Sequence, residues 1–442
     1  MTAVELPVYS RREQRAWYFY DFANSAFAST VLTLFLGPYL TSLAKAAAGA
    51  DGMVHPFGIP VEPRSFWGYC ISASVICQVF FLPMVGAYAD YGHRKRQLLG
   101  MFAYIGASAT MSMYFLEGTR YLLGGFLFIL ANLSFGCANI IYNSFLPQIA
   151  PEDERDGVSS RGWGLGYLGG GIVLVLNLLL YQNAAKFGIT EEMAVRISLS
   201  SAGLWWATFA LIPMNGLRNR IPERRLAKGQ NIFSVGVGQL LSTIRDLRHY
   251  PQTMTFLIAY LLYNDAVQSI IALAGQFGSD ELKIPMGTLT MAILMVQFVA
   301  FGGALLFNVI AGKLTARNTV LMALVIWTGV LVYAYGFVHT TTEFFVLAGL
   351  VGTVMGGTQA LSRSLYSLMI PKGREAEYFA LYEVSDRGTS WIGPLVFALA
   401  MQMTKSYRIS ILSLIVFFIV GFLVLVRVDV KKATAEAQRG VE

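Results

Sequence analysis

Charge is what this sequence lacks. Only 13% of its 442 residues are Asp, Glu, Lys or Arg, about half the share of a typical soluble domain. So few charges cannot clothe the two or three soluble domains that this length would otherwise form. Histidine is scarce: His55, His93, His249 and His339 are widely separated and lie near expected loops. No H-E-x-x-H zinc site, P-loop or G-x-S-x-G elbow occurs, so a membrane-embedded enzyme and an ATP-driven pump lack the residues they need. No metal and no cofactor is expected. The three cysteines, Cys70, Cys77 and Cys137, fall inside apolar stretches without ligand spacing and read as packing residues. A cleavable leader is not expected either, because Met1 to Arg15 is polar and the first apolar stretch is too long.

What is abundant is apolar length. The chain is 55% hydrophobic with mean hydropathy +0.55, and windows of ~20 apolar residues recur along it. The expectation is an all-α membrane protein with twelve spans, near 16–44, 65–89, 97–116, 121–146, 160–181, 195–214, 252–277, 287–311, 319–338, 343–369, 377–403 and 407–427. The domains are then 1–214, a six-helix bundle; 215–251, a basic linker; and 252–442, a second six-helix bundle with a short tail. Within the linker, Ile232 to Arg248 has apolar residues at helical spacing and is expected to be an interfacial amphipathic helix. The net charge of +7 sits mostly in short loops. With both termini cytoplasmic, about 24 Lys and Arg fall on the cytoplasmic side and about 8 outside. The positive charge therefore reports orientation in a lipid bilayer and not nucleic-acid binding.

Six spans, a linker and six spans read as an internal duplication. Gly136 and Pro151 align with Gly356 and Pro371, and Gly92 with Gly312, at one offset of about 220 residues. Ile310 stands where Asp90 would repeat, so a charged latch is expected on one side only.

Lipid does not tolerate unpaired charge, so polar residues in the spans mark functional candidates. The first span carries Asp21 and Asn24, and the seventh carries Asp265 and Gln268; each pair, three residues apart, shares a helix face. Asp265 falls near the midplane, where it is a candidate for coupling to protons or another ion. The fourth span has Asn132, Asn139 and Asn143, with Tyr142 beside them. In the tenth, Gln359 and Arg363 are one turn apart, and Arg363 has the fork geometry to hold a solute carboxylate. The eleventh brings Glu383, Asp386 and Arg387 to one face. Because the tenth and eleventh spans meet at Pro371, Arg363 and Glu383 lie at similar depth, and a pair or triad is expected there. The candidate cavity wall is thus Asn24, Asn139, Asn143, Asp265, Gln268, Gln359 and Arg363. The coupling or gating candidates are Asp21, Asp90, Arg94, Lys95, Arg96, Asp265, Glu383, Asp386 and Arg387.

The stretch Gly86-Ala-Tyr-Ala-Asp90-Tyr-Gly92-His-Arg94-Lys95-Arg96 follows directly on an apolar span. It resembles the loop between helices 2 and 3 of major facilitator transporters. That resemblance implies that Asp90 pairs with basic residues and a neighbouring helix end, latching the outward-facing state. Gly162-x-x-x-Gly166 and Gly169-Gly170-Gly171 resemble the fifth-helix motif of antiporter-type facilitators. Tyr167 replaces its proline, however, and the fourth-helix arginine of drug/proton antiporters is missing, which argues against proton-coupled drug efflux. Six further phrases resemble the autophagy-related vacuolar effluxer branch of that superfamily. They are Tyr18-Phe-Tyr-Asp21-Phe-Ala-Asn24-Ser-Ala-Phe27, Leu146-Pro147-Gln-Ile-Ala-Pro151, Ser160-Arg-Gly162-Trp-Gly164-Leu-Gly166, Leu262-Tyr-Asn264-Asp265-Ala-Val-Gln268, Gly357-Thr-Gln359-Ala-Leu-Ser362-Arg363 and Tyr382-Glu383-Val-Ser385. The resemblance implies two pseudo-symmetric six-helix bundles, transport of a small polar solute by alternating access, and efflux of amino acids. It also implies a monomer. Short polar loops fit a bacterial inner membrane. The alternatives are another solute, such as a drug or metabolite, or a receptor or scaffold that has lost transport.

Overall fold

The structure is a computed structural model that describes residues 9–221, 243, 245–388 and 392–439; the side chains of residues 280, 286, 387 and 388 are also outside the description. Among the described residues, eleven helices are long and apolar enough to cross a bilayer. In chain order they are α1 (Arg11–Ala46), α2 (Phe66–Tyr91), α3 (Lys95–Phe115), α4 (Tyr121–Ile149), α5 (Arg155–Gln182), α6 (Glu191–Gly216), α7 (Pro251–Ser279), α8 (Gly287–Leu314), α9 (Ala316–Gly336), α10 (Thr341–Ser367) and α13 (Tyr407–Leu425). Between α10 and α13 lie α11 (Glu375–Gly388) and α12 (Ile392–Thr404). The eleventh expected span, 377–403, is helical on both sides of residues 389–391, which lie outside the described residues. Its first half carries Glu383, Asp386 and Arg387, too polar to count as an apolar crossing by itself. A last helix, α14 (Val430–Arg439), occupies what the sequence reading left as a plain tail. The amphipathic helix expected from Ile232 lies outside the described residues, apart from a single turn at Leu247–His249.

Apolar side chains on the outer surface, among them Phe80, Phe126, Leu176, Val309 and Leu423, face outward because the surrounding solvent is lipid. Helix ends are closed by their own residues. Thr340 and Glu343 form a reciprocal capping box at α10, while Thr190 caps α6 and Ser406 caps α13.

Within the first bundle α1 packs on α5 and α6, and α4 on α2 and α3; in the second, α10 packs on α8 and α9, and α7 on α13. Two seams join the bundles, α2 against α11 and α5 against α8. The repeat is visible in a pair of arginines. Arg96 reaches the carbonyl of Leu217, just past α6, at 3.4 Å. Arg317, at the matching place in the second half, reaches the carbonyls of Leu425 and Val426 at the end of α13. Each puts positive charge on the negative end of a helix macrodipole. Arg96 is therefore a fastening within its own half.

Both ends of the described chain lie on one face, where Tyr9, Arg220, Lys372 and Gln438 line a common cavity. This face is called the terminal face below.

Candidate functional site

The first constellation lies at the terminal face, where α2 ends. Gly86 lets α2 approach α11, since a Cβ there would stand 2.7 Å from the carbonyl oxygen of Ala376. One turn on, Asp90 accepts hydrogen bonds from the Ala376 N–H at 3.0 Å and the Glu377 N–H at 2.8 Å. A carboxylate from one half thus caps a helix N-terminus of the other, satisfying two otherwise orphaned donors. Lys95 Nζ stands 3.1 Å from Asp90 Oδ1 and 4.0 Å from Glu375 Oε2. Asp90 and Lys95 are both buried, whereas Arg94 is exposed. Of the basic cluster, only Lys95 meets Asp90.

The second constellation lies deeper and centres on Arg363 of α10. Its Nη1 donates to Asp21 Oδ2 of α1 at 3.0 Å and to Asn143 Oδ1 of α4 at 3.3 Å. Its Nε donates to Ser159 Oγ of α5, and its Nη2 to the Ser159 carbonyl, both at 2.9 Å. The guanidinium carbon lies 4.8 Å from the Trp17 ring centre, 5.3 Å from Trp163 and 5.5 Å from Tyr142, within cation–π range. Tyr142 donates its hydroxyl to Asp21 Oδ2 at 2.8 Å, and Asn143 Nδ2 donates to Glu383 Oε1 at 3.2 Å. The pairing expected between Arg363 and Glu383 is corrected here. Arg363 pairs with Asp21 across the seam, and Asn143 stands between Arg363 and Glu383. Proximity along the chain pointed to α11, but the guanidinium side of α10 faces the first half.

Gly162 is the floor of this box. A Cβ at that position would fall 2.8 Å from Trp17, 2.9 Å from Asp21 Oδ2 and 3.0 Å from Arg363 Nη2. Gly162→Ala is expected to destabilise the closed seam by about 1–3 kcal/mol, the usual cost of overpacking. A lowered melting temperature with unchanged helicity is the readout.

Other seam bonds continue at the same end. Arg155 Nη1 donates to the Ser367 carbonyl at 2.8 Å, Ser159 Oγ to the Ala360 carbonyl at 2.7 Å, and Ser364 Oγ to Asp156 Oδ1 at 2.5 Å. Higher up, the Tyr167 hydroxyl donates to Gln359 Oε1. Gln359 and Arg363, one turn apart, thus both address α5.

The remaining candidates divide between the halves. Asn24 Nδ2 donates to Asn139 Oδ1 at 2.8 Å, tying α1 to α4. Asp386 receives the Tyr260 hydroxyl at 3.4 Å, Asn264 Nδ2, and Gln268 Nε2 at 3.5 Å, from three successive turns of α7. Asp265 points elsewhere. It is 1% exposed, neither of its oxygens has a side-chain hydrogen-bond partner among the described residues, and a Cβ on Gly393 of α12 would stand 2.9 Å from its Oδ2. Asp265 therefore lies inside the second half, apart from the Arg363 box. The Arg387 side chain lies outside the described residues. Sequence reasoning missed Trp17, Ser159 and Trp163; their one signal was proximity to Asp21 and to the glycine-rich stretch of α5.

On the face opposite the termini a cavity of about 520 Å³ is lined mostly by the first half, with Leu34 and Phe35 of α1 and Glu191 and Glu192 of α6, and is edged by Thr290 of α8.

Residues 9–438 match the family described as "Vacuole effluxer Atg22 like". The MFS-type transporter YxiO of Bacillus subtilis is 30% identical over 97% of both chains. Autophagy-related protein 22 of Saccharomyces cerevisiae is 28% identical over 96% of this chain and 93% of its own. Among solved structures, the human organic anion transporter MFSD10 superposes with a TM-score of 0.71 at 14% identity, covering 94% of this chain and 99% of that one. A bacterial homologue of the iron transporter ferroportin in an outward-facing state superposes with a TM-score of 0.67 at 12% identity, covering 95% and 99%.

Proposed function

Because this chain belongs to the vacuole effluxer Atg22-like family of major facilitator transporters, we propose that it exports a zwitterionic solute, an amino acid, by alternating access. The terminal face is taken as cytoplasmic, from the excess of Lys and Arg there. On this reading the seam held by Asp90 and Arg363 is the closed inner gate, and the 520 Å³ cavity lies on the outer side. The protein acts as a monomer in a bacterial inner membrane.

The observation that carries this reading is the Asp21–Arg363 pair. One partner belongs to each half, and both are largely buried. When the terminal face opens, the pair must break, presenting a carboxylate and a guanidinium to the path. These complement the ammonium and carboxylate of an amino acid. Asn24, Asn139, Asn143, Gln268 and Gln359 supply the neutral polar wall around them. Two charges of opposite sign, each costly when alone, favour either the closed pair or a zwitterion between them.

The test is counterflow in proteoliposomes with a panel of labelled amino acids. Exchange of at least one is expected. No exchange of any of them, by protein shown to be folded, contradicts the amino-acid reading. Asp265 is assigned to proton coupling, because a buried carboxylic acid with no side-chain partner among the described residues can take up and release a proton as its surroundings open. Asp265→Asn is expected to abolish pH-driven uptake while leaving counterflow in place. Retained pH-driven uptake removes Asp265 from the mechanism.

A further inference from the structure

We propose that the Arg363 box of the first half is itself a binding site for a guanidinium or ammonium cation, and that Arg363 is its built-in occupant. The inference deepens the alternating-access reading and rests on it. Every wall of the box named above comes from the first half: Trp17 and Asp21 from α1, Tyr142 and Asn143 from α4, Ser159 and Trp163 from α5. Only the occupant comes from the second.

The chemistry of the walls is that of a cation receptor. Asp21 supplies the counter-charge. The Ser159 carbonyl and hydroxyl and the Asn143 carbonyl supply acceptors. Aromatic faces of Trp17, Trp163 and Tyr142 surround the guanidinium carbon, and aromatic cages of this kind recognise organic cations. Gly162 leaves the space that the planar group fills. When the terminal face opens, Arg363 withdraws with the second half, and the box stays behind intact because it belongs to one rigid bundle. A cation arriving from the terminal side then takes the same acceptors. Arg363 and the cation cannot occupy the box together, so the cation holds the seam apart and closure displaces it.

Methylguanidinium and its neutral isostere methylurea separate the charge from the shape, and neither carries a carboxylate for Arg363 to hold. Both are titrated against full-length wild type and Arg363→Gln in nanodiscs. In wild type the apparent affinity is reduced by the small fraction of molecules with an empty box. Arg363→Gln is therefore expected to bind methylguanidinium at least ~10-fold more tightly than wild type, with methylurea unaffected. Adding Asp21→Asn to Arg363→Gln is expected to remove the gain. Equal binding of the two ligands, no gain in Arg363→Gln, or a gain that survives Asp21→Asn overturns the proposal.

If Arg363→Gln does not fold, the same question is put to a wild-type background with spin labels on His93→Cys and Lys372→Cys. Methylguanidinium is expected to lengthen the distance between the labels and methylurea to leave it unchanged; an equal response to both, or to neither, overturns the proposal. Counterflow of neutral amino acids alongside a failed box leaves the transport reading standing, so the two failures are distinguishable.

Discussion

Asp90→Ala is expected to drive the protein out of its terminal-closed state by a factor of roughly 10²–10⁴, from the ~3–5 kcal/mol that removing one partner of a buried ion pair costs. The Asp90 carboxylate has three duties in this structure. It accepts the N–H groups of Ala376 and Glu377 in the first turn of α11 and neutralises Lys95. Alanine leaves those two donors uncapped across the seam. It also leaves the buried Lys95 ammonium with Glu375 at 4.0 Å as its nearest carboxylate. The penalty falls on the closed state, because the seam between α2 and α11 exists only there. Asp90→Asn, which keeps an acceptor but not the charge, is expected to fall between wild type and Asp90→Ala. A thiol placed at Lys372, labelled from the terminal side, reads the shift as faster modification. An unchanged rate in Asp90→Ala contradicts the latch.

The second large effect concerns Asp21 and Arg363. Arg363→Ala leaves Asp21 with the Tyr142 hydroxyl and no cation. Asp21→Ala leaves the Arg363 guanidinium with neutral acceptors in a nearly dry box. Each single change is expected to lower stability by about 3 kcal/mol, somewhat less for Arg363→Ala because Asp21 keeps some solvent contact. The double variant is expected to cost less than the sum of the singles by about 1–3 kcal/mol, since removing both charges strands neither. Counterflow is expected to fail in all three. Thermal unfolding of the purified variants gives the cycle; strict additivity would show that the two charges do not depend on one another.

Much of the architecture was legible in the sequence because lipid imposes a simple rule on it. Apolar runs of crossing length marked the helices, their grouping pointed to a duplication, and the resemblance of the motifs implied the major facilitator fold. The turn after Gly86 was readable because a glycine, a carboxylate and basic residues at fixed spacing answer local geometry. The Asp21–Arg363 pair was not. Helix periodicity says which residues share a face but not which helix opposes that face, and these two are 342 positions apart. Glu383 looked the better partner because a single short turn separates α10 from α11. Trp17, Trp163 and Ser159 were hidden by their surroundings: an aromatic residue or a serine in an apolar span is usually packing, and only the assembled box gives them a shared purpose. Asp265 lies midway along α7 (Pro251–Ser279). Its direction, toward Gly393 and away from Gln268's partner Asp386, depends on packing that no spacing encodes.

The central claim is that the two halves rock about a seam sealed at the terminal face by Asp90 and Arg363. The distance between spin labels on His93→Cys and Lys372→Cys tests it most directly, with Cys70, Cys77 and Cys137 replaced by serine and the protein in lipid nanodiscs. The account predicts a mainly short distance in the otherwise unaltered protein and a mainly long one in both Asp90→Ala and Arg363→Ala. One unchanged distance distribution in all three proteins would contradict it.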